Sequence, residues 1–258
     1  MSSPVDPETI YPRQWVERAR RINWYHTFEL DHGLVIEGEF DLRPHVHRYG
    51  FPDDLTGLSV LDVGASNGFF SFELERRGAR RVVAVDLPTI AEHDFTPAFR
   101  EERAAQFSPE ERARHDESDL HGGFLLLKEA LGSRVEHVGL NVYDLAPERL
   151  GGRFDLVFCG SLLIHLSDPF RALQRLRLVT GDRCIVATVY EPALGEAPDM
   201  RFVGAWDGIA WWKPSIACLE RMMRVAGFTE VTRHATFELV SRSKRHVDPT
   251  VVLHGRVA

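Results

Sequence analysis

The stretch VLDVGASNGFFSFELERRGARRVVAVD, residues 60–86, decides the fold. An apolar run from Leu58 to Val63 carries Asp62 near its end and breaks at a loop holding Gly64 and Gly68. The chain then continues with helical spacing, and a second apolar run, Val82 to Val85, ends on Asp86. This is strand, glycine turn, helix, strand, with an acid at the tip of the second strand, the pattern of a Rossmann-like nucleoside-binding unit. A dinucleotide site wants three glycines as G-x-G-x-x-G so that backbone amides can close on a pyrophosphate. The loop here, Gly64-Ala65-Ser66-Asn67-Gly68, has two, which suits a nucleoside ligand without phosphates. Asp86 stands eighteen residues after Gly68, placed to accept hydrogen bonds from two ribose hydroxyls.

Working outward, the downstream pattern repeats strand and helix. Gly122 to Leu131 reads as an apolar helix stopped at Gly132, and Val135 to about Val142 as a strand. Phe154 to Gly160 is a buried strand leading into Ser161-Leu162-Leu163-Ile164-His165-Leu166-Ser167. Asp168 can cap a helix with Pro169 at its first position, running to about Val179. Cys184 to Val189 is a further strand, Ser215 to Ala226 a helix, and Val231–Val240 with Thr250–Val257 a closing strand pair. The order predicts an α/β fold, a Rossmann-like, seven-stranded, mostly parallel sheet with helices on both faces, a C-terminal antiparallel hairpin and an N-terminal cap.

Residues 1–56 form that cap or arm, and residues 57–258 the main domain. In the arm, Glu8 to Ile22 is expected to be helical, and Trp24 to Leu30 with Leu34 to Ile36 to form a short hairpin about Asp31-His32-Gly33. Residues 92–120 are polar and charged where a compact unit needs only a short connection. They read as an insertion, either a solvated surface segment or a lid over the site.

The chain has 258 residues, 44% hydrophobic, enough for a sizeable core. Its net charge of −7 argues against a nucleic-acid substrate, although a local basic patch could suffice for one. Cys159, Cys184 and Cys218 are odd in number and lack metal-ligand spacing, which fits reduced core thiols of a cytoplasmic protein. No signal-peptide pattern or bilayer-length apolar run is present, so no membrane partner is expected. Oligomeric state is not readable.

With these residues in hand, the chain resembles class I S-adenosylmethionine (SAM)-dependent methyltransferases. More narrowly, it is similar to the branch grouped with the tRNA wobble-uridine carboxymethyltransferase, which also contains small-molecule and sugar O-methyltransferases. The carriers are Leu61 to Gly64, Asn67 to Ala79, Phe154 to Val157, Leu163 to Pro169, and Trp211-Trp212-Lys213-Pro214 ahead of Ala226-Gly227-Phe228. Trp24-Tyr25-His26 and the G-x-F-D-L-R run from Gly38 to Arg43 add to these, so the resemblance spans most of the chain. Ser66 replaces the middle glycine of the commonest methyltransferase loop, and no cationic signature for a carboxylated SAM is evident.

The resemblance implies a SAM site built from Asp62, Gly64, Ala65, Ser66, Asn67, Gly68 and Phe69, with Asp86 and Leu87 at the ribose. Asn141 and Val142 are expected at the adenine, and Cys159, Gly160 and Ser161 under the methyl group. Transfer to a hydroxyl needs a base, and an imidazole with its ordinary pKa of about 6.5 suits that task at neutral pH. His165 is the first candidate, the alternative being a helix-start residue bonded to a carbonyl. His26 is second, and Glu191 could bind a hydroxyl or be a surface carboxylate. Trp24, Tyr25, Tyr190, Trp206, Trp211 and Trp212 are candidate substrate contacts, the tryptophans either an aromatic wall or ordinary packing. No His-x-x-x-His pair on a helix is found, which leaves only an oxygen-ligated Mg²⁺ open. The expected activity is SAM-dependent methylation of a hydroxyl on a small-molecule acceptor, such as a saccharide or natural-product intermediate. A tRNA wobble-uridine-modifying methyltransferase and a non-catalytic SAM-binding regulatory protein are the alternatives.

Overall fold

The seven-stranded sheet forms around four largely apolar strands that bury both faces at once, with a fifth, more exposed parallel strand at one edge. A computed structural model describes residues 6–106, 108–111, 121–205, 210–243, 245 and 247–257. Strands β3 (Ser59–Val63), β4 (Arg81–Asp86), β5 (Glu136–Gly139), β6 (Phe154–Gly160) and β7 (Thr180–Val189) are parallel. They are followed by β10 (Thr229–Val240) and β11 (Val247–Arg256), giving the order β10-β11-β7-β6-β3-β4-β5. β11 runs antiparallel to both β7 and β10, so the C-terminal hairpin extends the sheet at one edge. Two smaller antiparallel ribbons join β1 (Phe28–Glu29) to β2 (Val35–Ile36) and β8 (Met200–Phe202) to β9 (Trp212–Pro214).

Alternation along the strands divides the core into two layers. Val60, Ala84, Leu156, Phe158 and Ile185 face one layer, with Phe72 and Leu74 of α2 (Phe69–Arg76) and Leu126 and Leu127 of α4 (Gly123–Ala130). Helix α1 (Arg13–Ala19) and the arm belong to this layer, and α3 is the helix Pro97–Gln106. Leu61, Val83, Val157, Cys184 and Val186 face the other layer. There they meet Leu150 of α5 (Pro147–Leu150), α6 (Pro169–Val179) and α7 (Ile216–Val225). Asp168 caps α6, its carboxylate accepting from the Arg171 amide at 2.9 Å, and Pro169 stands at the first helical position.

The arm is stitched to the sheet at several points. Trp15 Nε1 donates to the Leu126 carbonyl at 3.2 Å, and the Arg242 amide donates to the Glu39 carbonyl at 2.7 Å. His45 stacks on Phe237 of β10, 5.4 Å between centroids. The helix expected over Glu8–Ile22 is shorter. A single turn covers Pro7–Thr9, and α1 begins only after Pro12, whose extended conformation interrupts the helix. The third strand also stops early, at Gly139, because Asn141 turns its side chain back to cap Val142–Asp144.

Candidate active site

A cavity of about 250 Å³ opens at the carboxyl ends of the parallel strands, where ligands sit in open α/β sheets. Its floor comes from the strand ends: Gly64 after β3, Asp86 and Leu87 after β4, Asn141 and Val142 after β5, Gly160 and Ser161 after β6. Asp86 organises this floor. Its Oδ2 accepts from the Ser66 amide at 2.7 Å and its Oδ1 from the Leu87 amide at 2.8 Å. Removal from water pushes its pKa up, while those two amides pull it back. Ser66 and Ser161, both on the cavity wall, have φ of 50° and 52°. Left-handed backbone is uncommon for such residues and concentrates at binding sites, where the surrounding structure holds it.

The opposite wall comes from the arm and the hairpin. Tyr25, His26, Phe40, Leu42 and Tyr49 face Phe70, Phe158 and Leu239. The arm reaches this position through Asn67, almost fully buried, whose Oδ1 accepts from the Tyr25 amide at 2.7 Å. His26 is buried among Phe28, Phe69 and Phe70, and burial drives its pKa down to about 3, so the ring is neutral.

The mouth is closed by the segment after β4. Glu92, His93 and Asp94 line it, beside Tyr143, Leu162, His165 and Leu166. Asp94 Oδ2 accepts from the Tyr143 hydroxyl at 2.6 Å and from the amide and hydroxyl of Ser167, both at 2.7 Å. The Asp94 carbonyl takes the Trp211 indole N–H at 2.6 Å. His165 ends the turn Leu163–His165, with its ring centroid 6.4 Å from that of His93. Burial lowers the His93 pKa to about 4, with the neighbouring His165 acting in the same direction. Among the described residues, three carboxylates therefore lie on the lining, Asp86, Glu92 and Asp94, and no lysine or arginine does.

Of the residues picked from the sequence, Gly64, Ser66, Asp86, Leu87, Asn141, Val142, Gly160, Ser161, Tyr25, His26 and His165 meet at this cavity. The others are placed elsewhere. Asp62 lies under the floor, its Oδ2 accepting from Ser71 Oγ at 2.5 Å, so it holds α2 against β3. Gly68 starts α2 with φ of 90°, and a Cβ there would fall 2.7 Å from the rings of Phe72 and Phe124; packing, not ligand approach, requires glycine. Ala65, Phe69 and Cys159 are core residues, and Asn67 is turned to the arm.

Trp24 packs edge-on to Phe28 and donates to the Ala19 carbonyl at 2.9 Å. Tyr190 packs on the α6/α7 side of the sheet. Glu191 caps the turn Pro192–Leu194 and pairs with Arg201 at 3.2 Å. Trp211 and Trp212 spend their indole donors on the Asp94 and Ser167 carbonyls, outside the lining. They brace the mouth from behind and do not form its wall. Trp206 lies outside the described residues. Sequence reasoning missed Phe40, Leu42, Tyr49, Glu92, His93, Asp94 and Tyr143. The available signals were the G-x-F-D-L-R run, which contains Phe40 and Leu42, and the lid alternative for residues 92–120, which begins with Glu92, His93 and Asp94.

Among the described residues no group of three or more histidines, cysteines or carboxylates is arranged to hold a metal ion. None of their helices is long and apolar enough to cross a membrane. The three cysteines are buried and form no disulfide.

No family model matches the chain. It is 30% identical over 196 residues to the tRNA U34 carboxymethyltransferase of Pseudomonas savastanoi pv. phaseolicola, covering 72% of this chain and 51% of that protein. The enzyme of the same name from Ectopseudomonas mendocina is 29% identical over 183 residues, 69% of this chain and 47% of the other. The chain thus spans about half the length of the curated relatives it matches. Among solved structures, the N-terminal domain of EvdMO1 with SAH bound superposes with a TM-score of 0.63 at 19% identity, covering all of both chains. Magnesium protoporphyrin IX methyltransferase (ChlM) from Synechocystis PCC 6803 with bound SAM gives 0.53 at 16%, again over all of both chains. The fold is that of class I SAM-dependent methyltransferases, and in sequence the chain resembles the tRNA U34 carboxymethyltransferase group.

Proposed function

We propose that the chain binds SAM in this cavity and transfers its methyl group to a hydroxyl of a small-molecule acceptor. Asp86 carries the reading: a carboxylate at the tip of β4, fixed by two backbone amides, on a lining that, among the described residues, holds no lysine or arginine. Such a site fits a nucleoside bearing a positive charge and no phosphates. The three lining carboxylates favour a sulfonium, and no cationic side chain among the described lining residues would compensate a pyrophosphate or the extra carboxylate of a carboxylated SAM.

SAM, when bound, supplies a methyl group on a sulfonium, already activated for in-line displacement. Asp86 would take the ribose hydroxyls, and Asn141 and Val142 would border the base. Gly64 would let backbone approach the methionyl end, its Cβ-less position 3.3 Å short of Leu162. His165 would remove the acceptor proton from the mouth side. His26, neutral in its aromatic surroundings, would orient the acceptor. A general base of this kind contributes about 10²–10⁴ in rate.

Calorimetric titration with SAM, followed by turnover on a small-metabolite extract by wild type and His165→Ala, tests the reading. The variant is expected to bind SAM as wild type does and to lose about 10²-fold or more in rate. Wild-type turnover by the variant removes the base, and absence of SAM binding removes the function.

A second reading, methylation of RNA, draws support from the names of the relatives. The net charge of −7 and the acidic mouth weigh against it. Activity that survives nuclease treatment of the substrate fraction separates the two.

A further inference from the structure

We infer that the arm-side half of the cavity is shaped for an uncharged aromatic hydroxyl compound, of the size of a phenol or naphthol, in preference to a saccharide, a carboxylate or a nucleotide. The inference rests on the methyl-transfer reading and narrows its acceptor.

The arm-side half of the cavity is lined by Phe40, Leu42 and Tyr49 of the arm together with Phe70 of α2, Phe158 of β6 and Leu239 of β10, all buried. These rings are locked against one another. Tyr49 meets Phe70 edge-on at 4.7 Å, Phe70 meets Phe158 at 4.5 Å, and Tyr25 meets Phe40 at 5.1 Å. A wall of fixed rings takes a planar apolar guest through burial and edge-to-face contact, without reorganising.

The same wall has few polar partners to offer. Its polar atoms are the hydroxyls of Tyr25 and Tyr49 and the imidazole of His26, whose Nδ1 is buried and has no hydrogen-bond partner in the protein. A saccharide brings several hydroxyls, and each one buried without a partner costs about 1–3 kcal/mol. A single aromatic hydroxyl makes no such demand. Trp211 and Trp212 give their indole N–H groups to the Asp94 and Ser167 carbonyls and lie off the lining, so neither offers a face to a sugar there. An anionic acceptor would meet Asp86, Glu92 and Asp94, with no lysine or arginine among the described lining residues to offset them.

The chemistry agrees with the shape. A phenolic hydroxyl has a pKa of about 10, within reach of an imidazole base. In the step, the phenolic oxygen forms a bond to the methyl carbon as the carbon–sulfur bond breaks. Its proton passes to His165 and then to solvent. The products are an aryl methyl ether, S-adenosylhomocysteine and one proton.

The test uses the full chain with saturating SAM and three probes: 2-naphthol, 6-hydroxy-2-naphthoate and methyl β-D-galactopyranoside, with a uridine-containing RNA oligonucleotide as a fourth. SAM binding is measured first, so that failure to bind cofactor is recognised as failure of the parent reading. With SAM bound, 2-naphthol is expected to be methylated with kcat/KM at least tenfold above that of the naphthoate, with the saccharide and RNA unreactive. Phe40→Ala should raise the KM for 2-naphthol by about tenfold and leave the Kd for SAM unchanged, which also shows that the variant folds. Preference for the naphthoate, saccharide or RNA, or no turnover of 2-naphthol by SAM-loaded protein, overturns the inference.

Discussion

Replacing Asp62 by Asn should remove a pH dependence of stability that the wild-type fold carries. Asp62 is 1% exposed in the centre of the sheet, where it accepts from Ser71 Oγ at 2.5 Å and the Ser71 backbone N–H also bears on it. Burial raises its pKa to about 7; Ser71 opposes the rise and the charge of Asp86 adds to it. In the unfolded chain the value returns to about 3.9. Between those values the folded state holds a proton that the unfolded chain has released, so stability falls as pH rises. Each pKa unit corresponds to about 1.4 kcal/mol. The contribution is then about 3 kcal/mol at pH 5, about 1 at pH 6 and close to zero at pH 8.

Asn keeps an oxygen for Ser71 and cannot titrate. Urea unfolding of both proteins at pH 5, 6, 7 and 8, followed by tryptophan fluorescence, gives the difference in unfolding free energy. Working with the difference matters because His26, His93 and His137, all with lowered pKa, destabilise both proteins alike as pH falls below about 6.5. Wild type minus variant should drop by about 2–3 kcal/mol from pH 5 to pH 8. A difference flat to within about 0.5 kcal/mol, the usual additivity error, refutes a carboxyl held protonated in the core.

Three further outcomes are expected. Asp86→Ala removes the acceptor of two amides and of the ribose, and should weaken SAM binding about a hundredfold or more in calorimetry; unchanged affinity would move the ribose elsewhere. Asn67→Ala leaves the Tyr25 amide without its partner and should cost about 1–3 kcal/mol in unfolding, with protease cleavage of the arm rising first; cleavage at the wild-type rate would show that other contacts hold it. Tyr143→Phe takes one of three donors from Asp94 and should raise acceptor KM more than it lowers kcat, whereas the reverse split would place Tyr143 in the chemistry.

The sheet was legible where local rules and tertiary burial agree. Val60 to Asp86 spells its own strand, turn, helix and strand, and Asp168-Pro169 announces α6 by capping chemistry alone. The floor of the site followed because strand ends in this topology converge on one edge. The opposite wall was hidden because Phe40, Tyr49 and Leu239 meet only through contacts spanning much of the chain, and their local pattern resembles any apolar packing. Glu92 to Asp94 sat at the start of a charged stretch whose composition points to solvent. Tyr143, Ser167 and Trp211 converging on Asp94, with Asn141 on the Glu92 carbonyl, draw that segment to the mouth. Trp211 and Trp212 left two readings open in sequence, aromatic wall or packing, because an indole N–H satisfied by a carbonyl cannot be told there from one turned to a ligand.

The most direct measurement incubates the protein with SAM carrying a deuterated methyl group and separated pools of small metabolites and RNA, then locates the label by mass spectrometry. Label on a hydroxyl oxygen of a small metabolite is the predicted result. Label in RNA nucleosides alone would contradict it.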